Sequence, residues 1–280
     1  MLGAALSASS TSAQGVVVTS ELLEEIVALP GQTYERTIAL ENGSSTPQRV
    51  RILQVDYVSG LDGASYYPAP EDQTHARSNA GWIALPRTTY VVPPDTTVRV
   101  PYTVAVPDGL AERGTYWSVL MVEPDPDVAP MEADAGPVEI RVGHRFRYAV
   151  HVAATIGAGA PAVSIAAPRL VDEVESRALK VDLRNEGTTI IRPDIWLEVF
   201  DASGESAGRF DARPRPLYPA SVATAIVDLD TLPRGSYSAL LFVDAGGDDL
   251  VGSRLTLEFP EPAPDPGSSP ETDDLLAPRP

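Results

Sequence analysis

The chain contains no cysteine, so disulfides and thiolate metal sites are excluded, and thiols say nothing of its redox compartment. Lysine is nearly absent: Lys180 is the one lysine among 21 basic residues. Against 39 acidic residues this leaves a formal net charge of −18. A surface of that sign repels a phosphate backbone, so a nucleic-acid partner is not expected. The lysine-poor, acidic balance fits either a high-salt setting, where charge repulsion is screened, or a genome that writes Arg, Ala, Pro and Gly in place of Lys. No stretch approaches the roughly 20 apolar residues of a membrane span. A Gly-rich phosphate loop between a strand and a helix is also missing, and no residue pattern calls for a cofactor.

What is present is strand and turn chemistry. There are 27 prolines and 21 glycines, and 43% of residues are hydrophobic. With many Val, Thr and Tyr this composition favours an all-β fold with real cores. Alternation of apolar and polar residues recurs in short runs between turn residues. In the first half strands are predicted at "GVVVTS", "LLEEIVALPG", "YERTIALEN", "QRVRILQVDYV", "WIALP", "TVRVPYTVAVP" and "GTYWSVLMVEP". The acidic run "DPDVAPMEADAGP" (125–137) reads as a long loop. A second series covers "AVSIAAPRLVDEV", "ALKVDLRNEG", "IWLEVFDASG", "GRFDARP", "ASVATAIVDL", "GSYSALLFVDAG" and "SRLTLEF". Two tandem Ig-like β-sandwiches follow, 15–157 and 158–260, with "GAGAP" (157–161) as the hinge. "GTYWSVLMVEP" and "GSYSALLFVDA" echo each other as Gly-x-Tyr followed by a buried strand. Residues 1–14 resemble the end of a secretion signal, with Thr11-Ser12-Ala13 before Gln14 as a small-x-small cleavage site. Residues 261–280 form a proline-rich, apolar-poor tail expected to be disordered. An exported protein, periplasmic or secreted, is expected.

Catalytic and metal motifs are weak. Gly204-Glu205-Ser206-Ala207-Gly208 fits G-x-S-x-G, but that motif needs a helix after the serine, and Pro214 and Pro216 oppose one. A hairpin turn is the better reading, and a non-enzyme is expected. His144 and His151 sit seven apart on one run, pointing to opposite faces, and read as surface or rim residues. Asp125/Asp127 and Asp244/Asp248/Asp249 lack EF-hand spacing and read as solvated loop charge; no metal site is expected. Trp82, Trp117 and Trp196 are expected as core anchors.

The segment that invites a functional reading is "VEIRVGHRFRYAV" (138–150). Val138, Ile140, Val142, Phe146 and Tyr148 share one parity; Glu139, Arg141, Arg145 and Arg147 share the other. Three arginines on one strand face of so acidic a chain need a reason. Alternation of this kind arises in any sandwich strand with one buried face. The arginines could equally protect an edge or neutralise nearby acids.

From about residue 17 to 155 the chain resembles the PapD-like periplasmic pilus chaperones. The resemblance rests on "GWIALPRTTYVVPPDTTVRVPYTV" as a proline-led turn feeding a regular strand. It rests also on "GTYWSVLMVEPDP" ending in a Glu-x-Pro corner, and on "VEIRVGHRFRYAVHVAA" as alternating hydrophobics followed by a basic-apolar-basic run. It implies that Val138, Ile140 and Val142 are lent as a strand to an incomplete Ig-like subunit of a pilus or surface structure. Arg145-Phe146-Arg147 would then be the basic run, with Arg147 as the cleft cation that holds a terminal carboxylate. The family's second cleft cation has no counterpart: the matching "SELLEEIVALPG" carries no arginine. The overall layout also resembles the WxL-interacting surface proteins of Gram-positive bacteria, which leaves a structural or adhesive surface module as the alternative.

Overall fold

A computed structural model describes residues 15–60, 64–72, 75–110, 112–125, 146–166, 168–173, 176–213, 215–247 and 250–260. The leader 1–14, the loop 126–137, residues 138–145 and the tail 261–280 lie outside these.

Among the described residues, nineteen strands form in chain order. The first eleven are β1 (Val16–Val18), β2 (Leu23–Ala28), β3 (Thr33–Asn42), β4 (Gln48–Val55), β5 (Val58–Ser59), β6 (Ser65–Tyr66), β7 (Ile83–Ala84), β8 (Thr89–Val92), β9 (Thr96–Ala105), β10 (Gly114–Pro124) and β11 (Tyr148–Ile156). They build two facing sheets, β1-β3-β9-β7 and β2-β11-β10-β4-β8, plus the small β5–β6 hairpin. The opening segment changes sheets: β1 pairs antiparallel with β3, and β2 pairs parallel with β11. The alternation read in the sequence becomes the core. Ile38 and Leu40 of β3, Val50 and Ile52 of β4, Val100 and Val104 of β9, and Leu120 of β10 are all buried against Val150 and Val152 of β11. β8 sits inside the proline-bounded stretch 86–94, which the sequence marks as a turn. Its Tyr90 and Val92 face inward, and it pairs with β4 as the edge of the sheet.

The second sandwich holds β12 (Val163–Ile165), β13 (Arg169–Asp172), β14 (Arg177–Asn185), β15 (Asp194–Phe200), β16 (Ser206–Asp211), β17 (Val222–Asp228), β18 (Gly235–Asp244) and β19 (Leu250–Phe259). β12 and β13 lie one after the other along one edge of β14, with Pro168 between them, and β17 pairs with the other edge. Proline has no N–H for the ladder, so the single predicted strand breaks there. The facing sheet runs β16-β15-β18-β19. Its core joins Leu179 and Val181 to Leu197, Leu241 and Leu257.

The two sandwiches share a device that periodicity does not reveal. Asn42 ends β3 and Asn185 ends β14, and both are fully buried. Each side-chain amide feeds loop carbonyls: Asn42 Nδ2 donates to Thr46 O (2.8 Å) and Val92 O (3.0 Å), and Asn185 Nδ2 donates to Thr189 O and Leu217 O (both 2.8 Å). Each Oδ1 accepts an N–H two residues on, from Ser44 (2.9 Å) and Gly187 (2.8 Å). A buried carbonyl without a donor costs about 1–3 kcal/mol. Asn185→Ala leaves Thr189 O and the Gly187 N–H without their Asn185 partners, while Leu217 O keeps the Ile191 N–H, and is expected to lower stability by about 2 kcal/mol in urea denaturation. Ser203→Ala, on an exposed turn, is the control and should change it by less than about 0.5 kcal/mol.

Candidate protein-binding surface

β10 is the centre of the first sandwich's larger sheet, and both its faces are covered: every residue from Gly114 to Glu123 is buried. Its even-numbered side chains enter the core. Its odd-numbered ones meet two different coverings. At one end, Glu123 is gripped by two guanidiniums. Arg147 Nε stands 3.0 Å from one carboxylate oxygen and Arg51 Nη2 stands 2.9 Å from the other. At the other end, Thr115 and Trp117 lie under the second sandwich.

β11 runs beside β10 from Tyr148, opposite Val122, to Ile156, opposite Gly114. Val150, Val152, Ala154 and Ile156 face the core, and Tyr148 packs partly against it. Phe146 continues that parity but is 69% exposed. The core-facing side of the strand therefore runs past the end of its own core. The other edge of β11 is covered by β2 only from His151 to Ile156. Among the described strands, none pairs with that edge at Tyr148–Val150. Val138, Ile140, Val142 and Arg145 lie outside the described residues. Of the expected partner-binding set, the structure brings Phe146 and Arg147 to the base of β11. Arg147 lies four residues before His151, about 13 Å along the strand from the domain junction.

The junction is aromatic. Trp117, 3% exposed, stacks on His75 (ring centroids 4.3 Å apart) and on Tyr218 of the second sandwich (5.0 Å). Tyr57 meets His151 and Tyr218 edge-on, and the indole Nε1 donates to Tyr57 O at 3.0 Å. Polar contacts fix the register between domains. Thr115 N–H donates to Thr188 O (2.8 Å), Ile190 N–H donates to Thr115 Oγ1 (2.9 Å), and Arg192 lies against the Glu25 carboxylate. Gly114 has φ +113, and a Cβ there would meet Thr188 O at 1.9 Å, so only glycine lets the two backbones approach.

His151 is a correction to the sequence reading. It is not a surface or rim residue: its Nδ1 lies 3.0 Å from the Tyr218 hydroxyl, and burial pushes its pKa down to about 4. His144 lies outside the described residues. Burial lowers the His75 pKa in the same way, with Asp56, 3.8 Å away, working against that. Trp117 is a buried anchor as expected, in a small apolar cluster with Ala153 and Tyr218 at the junction. One tryptophan differs from expectation. Trp196 lies half-buried on the outer face of β15, stacked on Phe242 with the Arg209 guanidinium over it. Trp82 packs against the first core beside Tyr116.

Ser206 opens β16 directly after a turn organised by Asp201, whose Oδ1 accepts from the Ser203 and Glu205 N–H groups. The segment is a hairpin, as its prolines suggested, and no helix follows to make a nucleophile elbow. Among the described residues no group of three or more His, Asp or Glu side chains is placed to hold a metal ion. No described helix is long and apolar enough to cross a membrane.

No family model matches the chain, and no curated protein does. Solved structures do. A chain of the CsuC–CsuE chaperone–tip adhesion subunit complex of Acinetobacter baumannii Csu pili is 13% identical; the match covers 85% of this chain and 98% of that one at a TM-score of 0.45. The class 5 fimbriae chaperone CfaA is 12% identical over 88% of this chain and 100% of its own, at 0.42. The E. coli chaperone DraB is 12% identical over 88% and 97%, at 0.39.

Proposed function

We propose that this is an exported, non-enzymatic, chaperone-like protein of the periplasm or cell surface that holds a protein subunit by β-strand addition. The donated residues are Val138, Ile140 and Val142, with Arg145, Phe146 and Arg147 at the base of the run. One observation carries the reading: the core-facing parity of β11 leaves its own core at Phe146, next to the point where the second edge of the strand loses its β2 neighbour. Upstream in that parity, beyond His144, stand the apolar Val142, Ile140 and Val138, which suit the groove of a sandwich lacking a strand. Main-chain hydrogen bonds would supply affinity, and alternate side chains would fill pockets.

A second reading has its own support. The Arg147 guanidinium is already matched to the buried Glu123 carboxylate, which is what an internal, structural role for that arginine requires. On this reading the chain is a structural or adhesive surface module. Crosslinking and co-purification from the exported fraction separate the two. Ile140→Asp is the diagnostic variant, with its melting temperature checked against wild type. Chaperone action predicts one stoichiometric β-rich partner that is lost from Ile140→Asp while the fold is kept. Unchanged recovery, or no partner with either protein, leaves the surface-module reading standing.

A further inference from the structure

A second strand edge differs in kind from the rest. β17 pairs with β14 on one side only. The other described edge strands longer than four residues carry charge: Glu24 and Glu25 on β2, Arg209 and Asp211 on β16, Arg254 and Glu258 on β19. Charge of that kind deters unwanted strand pairing. β17 reads Val-Ala-Thr-Ala-Ile-Val before its closing Asp228, with no charge, proline or bulge. Ile226 is 53% exposed. Ala223, Thr224 and Ala225 are small enough to let another backbone come close.

This edge lies along a groove of two adjoining cavities, about 380 and 390 Å3, that share Arg215, Leu217, Ala223, Thr224 and Ile226. The first sandwich closes one end, where the Ser59 hydroxyl donates to Val222 O. Ala223–Val227 remain, five residues or about 17 Å of strand. The rim is cationic. Lys180 and Arg215 line the first cavity, and Arg213 and Arg215 line the second. None of the three makes an ion pair among the described residues, although acids outnumber bases 39 to 21 in this chain. Arg169, beside them, is spent on Asp182. The carboxylates at the far end have local partners: Asp211 holds Arg209, and Asp228 accepts from the Asp230 N–H.

We infer that the β17 edge docks an extended, acidic segment of a protein partner, added as a strand beside Ala223–Val227 with its carboxylates against Lys180, Arg213 and Arg215. The backbone of an uncharged edge supplies the ladder, and the unpaired cations select an acidic sequence and its direction of approach. This surface is separate from β11, so the two can fail independently.

The test is fluorescence anisotropy on the full chain with a labelled octapeptide of alternating Glu and Val, and with its Lys/Val counterpart. The Glu/Val peptide is expected to bind and the Lys/Val peptide not. Lys180→Glu/Arg215→Glu should weaken binding by about tenfold or more, as should about 0.5 M salt. Hydrogen exchange should show new amide protection within 223–227. A photo-crosslinker at Ile226 should capture the peptide, and one at Val27 on β2 should not. Absence of binding, binding that survives the double charge reversal, or protection elsewhere would overturn the proposal. So would binding seen only after removal of residues 261–280, because the occupant would then be the chain's own acidic run Glu271–Asp274.

Discussion

Acidification from pH 7 to pH 4 is expected to cost the folded protein about 3 kcal/mol through His151 alone. The imidazole is closed in by Tyr57 and Tyr218, and burial lowers its pKa from 6.5 to about 4. Above pH 6.5 the ring is neutral in both folded and unfolded chains, and its contribution is fully present. Between 6.5 and about 4 only the unfolded chain takes the proton, so stability falls with pH across that window. Below about 4 both states are charged and the slope from this residue ends. His75 adds to the loss in the same direction, because burial lowers its pKa too, while Asp56 partly offsets it. The Glu25–Arg192 pair crosses the same junction but is exposed enough that solvent screens it. Urea denaturation at half-unit pH steps measures the effect. His151→Asn keeps a polar atom near the Tyr218 hydroxyl and cannot titrate. It should flatten most of the slope between 6.5 and 4. If the variant and wild type fall in parallel, the linkage lies elsewhere.

That coupling could not be read from the sequence, and the reason is physical. Periodicity reports which side of a strand is apolar, not what covers it. β3, β4, β9, β14, β15 and β18 have one face in a core, so their alternation gave both element and orientation. β10 is covered on both faces, and Trp117 on its odd side looks in sequence like any core residue. Its partner Tyr218 comes from a proline-flanked loop about a hundred positions later. His151 alternates like a rim residue because its parity points away from its own core, yet a second domain lies on that side. β8 was hidden by the prolines around it, although Tyr90 and Val92 carry the right spacing. The Glu123 clamp joins Arg51 and Arg147 from opposite sides of β10, a relation that exists only once β4 and β11 have paired with it. For the run 138–145 the sequence pattern is the whole of the argument, and its role is for the partner experiment to decide.

Trp117→Ala is expected to be the most damaging single substitution, costing about 3–5 kcal/mol. It removes a ring that is 3% exposed and packed between His75 and Tyr218, and it strands the Tyr57 carbonyl. That ring bridges one sandwich to the other, and each sandwich retains its own core without it. The damage should therefore appear as lost coupling rather than general unfolding. Calorimetry is expected to show one transition in wild type and two in the variant. Small-angle scattering should show a wider spread of domain angles. Tyr218→Phe keeps the stack and loses only the bond to His151 Nδ1, at about 1 kcal/mol, and should leave a single transition. Gly114→Ala tests the same lock from the backbone side, since its Cβ would force Thr188 away. A single, unshifted transition in Trp117→Ala would show that the polar contacts through Thr115 hold the domains without the stack. The consequence reaches both candidate surfaces. Ser59, on the hairpin that closes the β17 groove, follows directly from the strand that carries Val55. β11 meets the second sandwich through His151 against Tyr218, while its base at Arg147 lies four residues upstream. Loosening the stack should therefore disturb the β17 groove first and leave the base of β11, clamped on Glu123, in place.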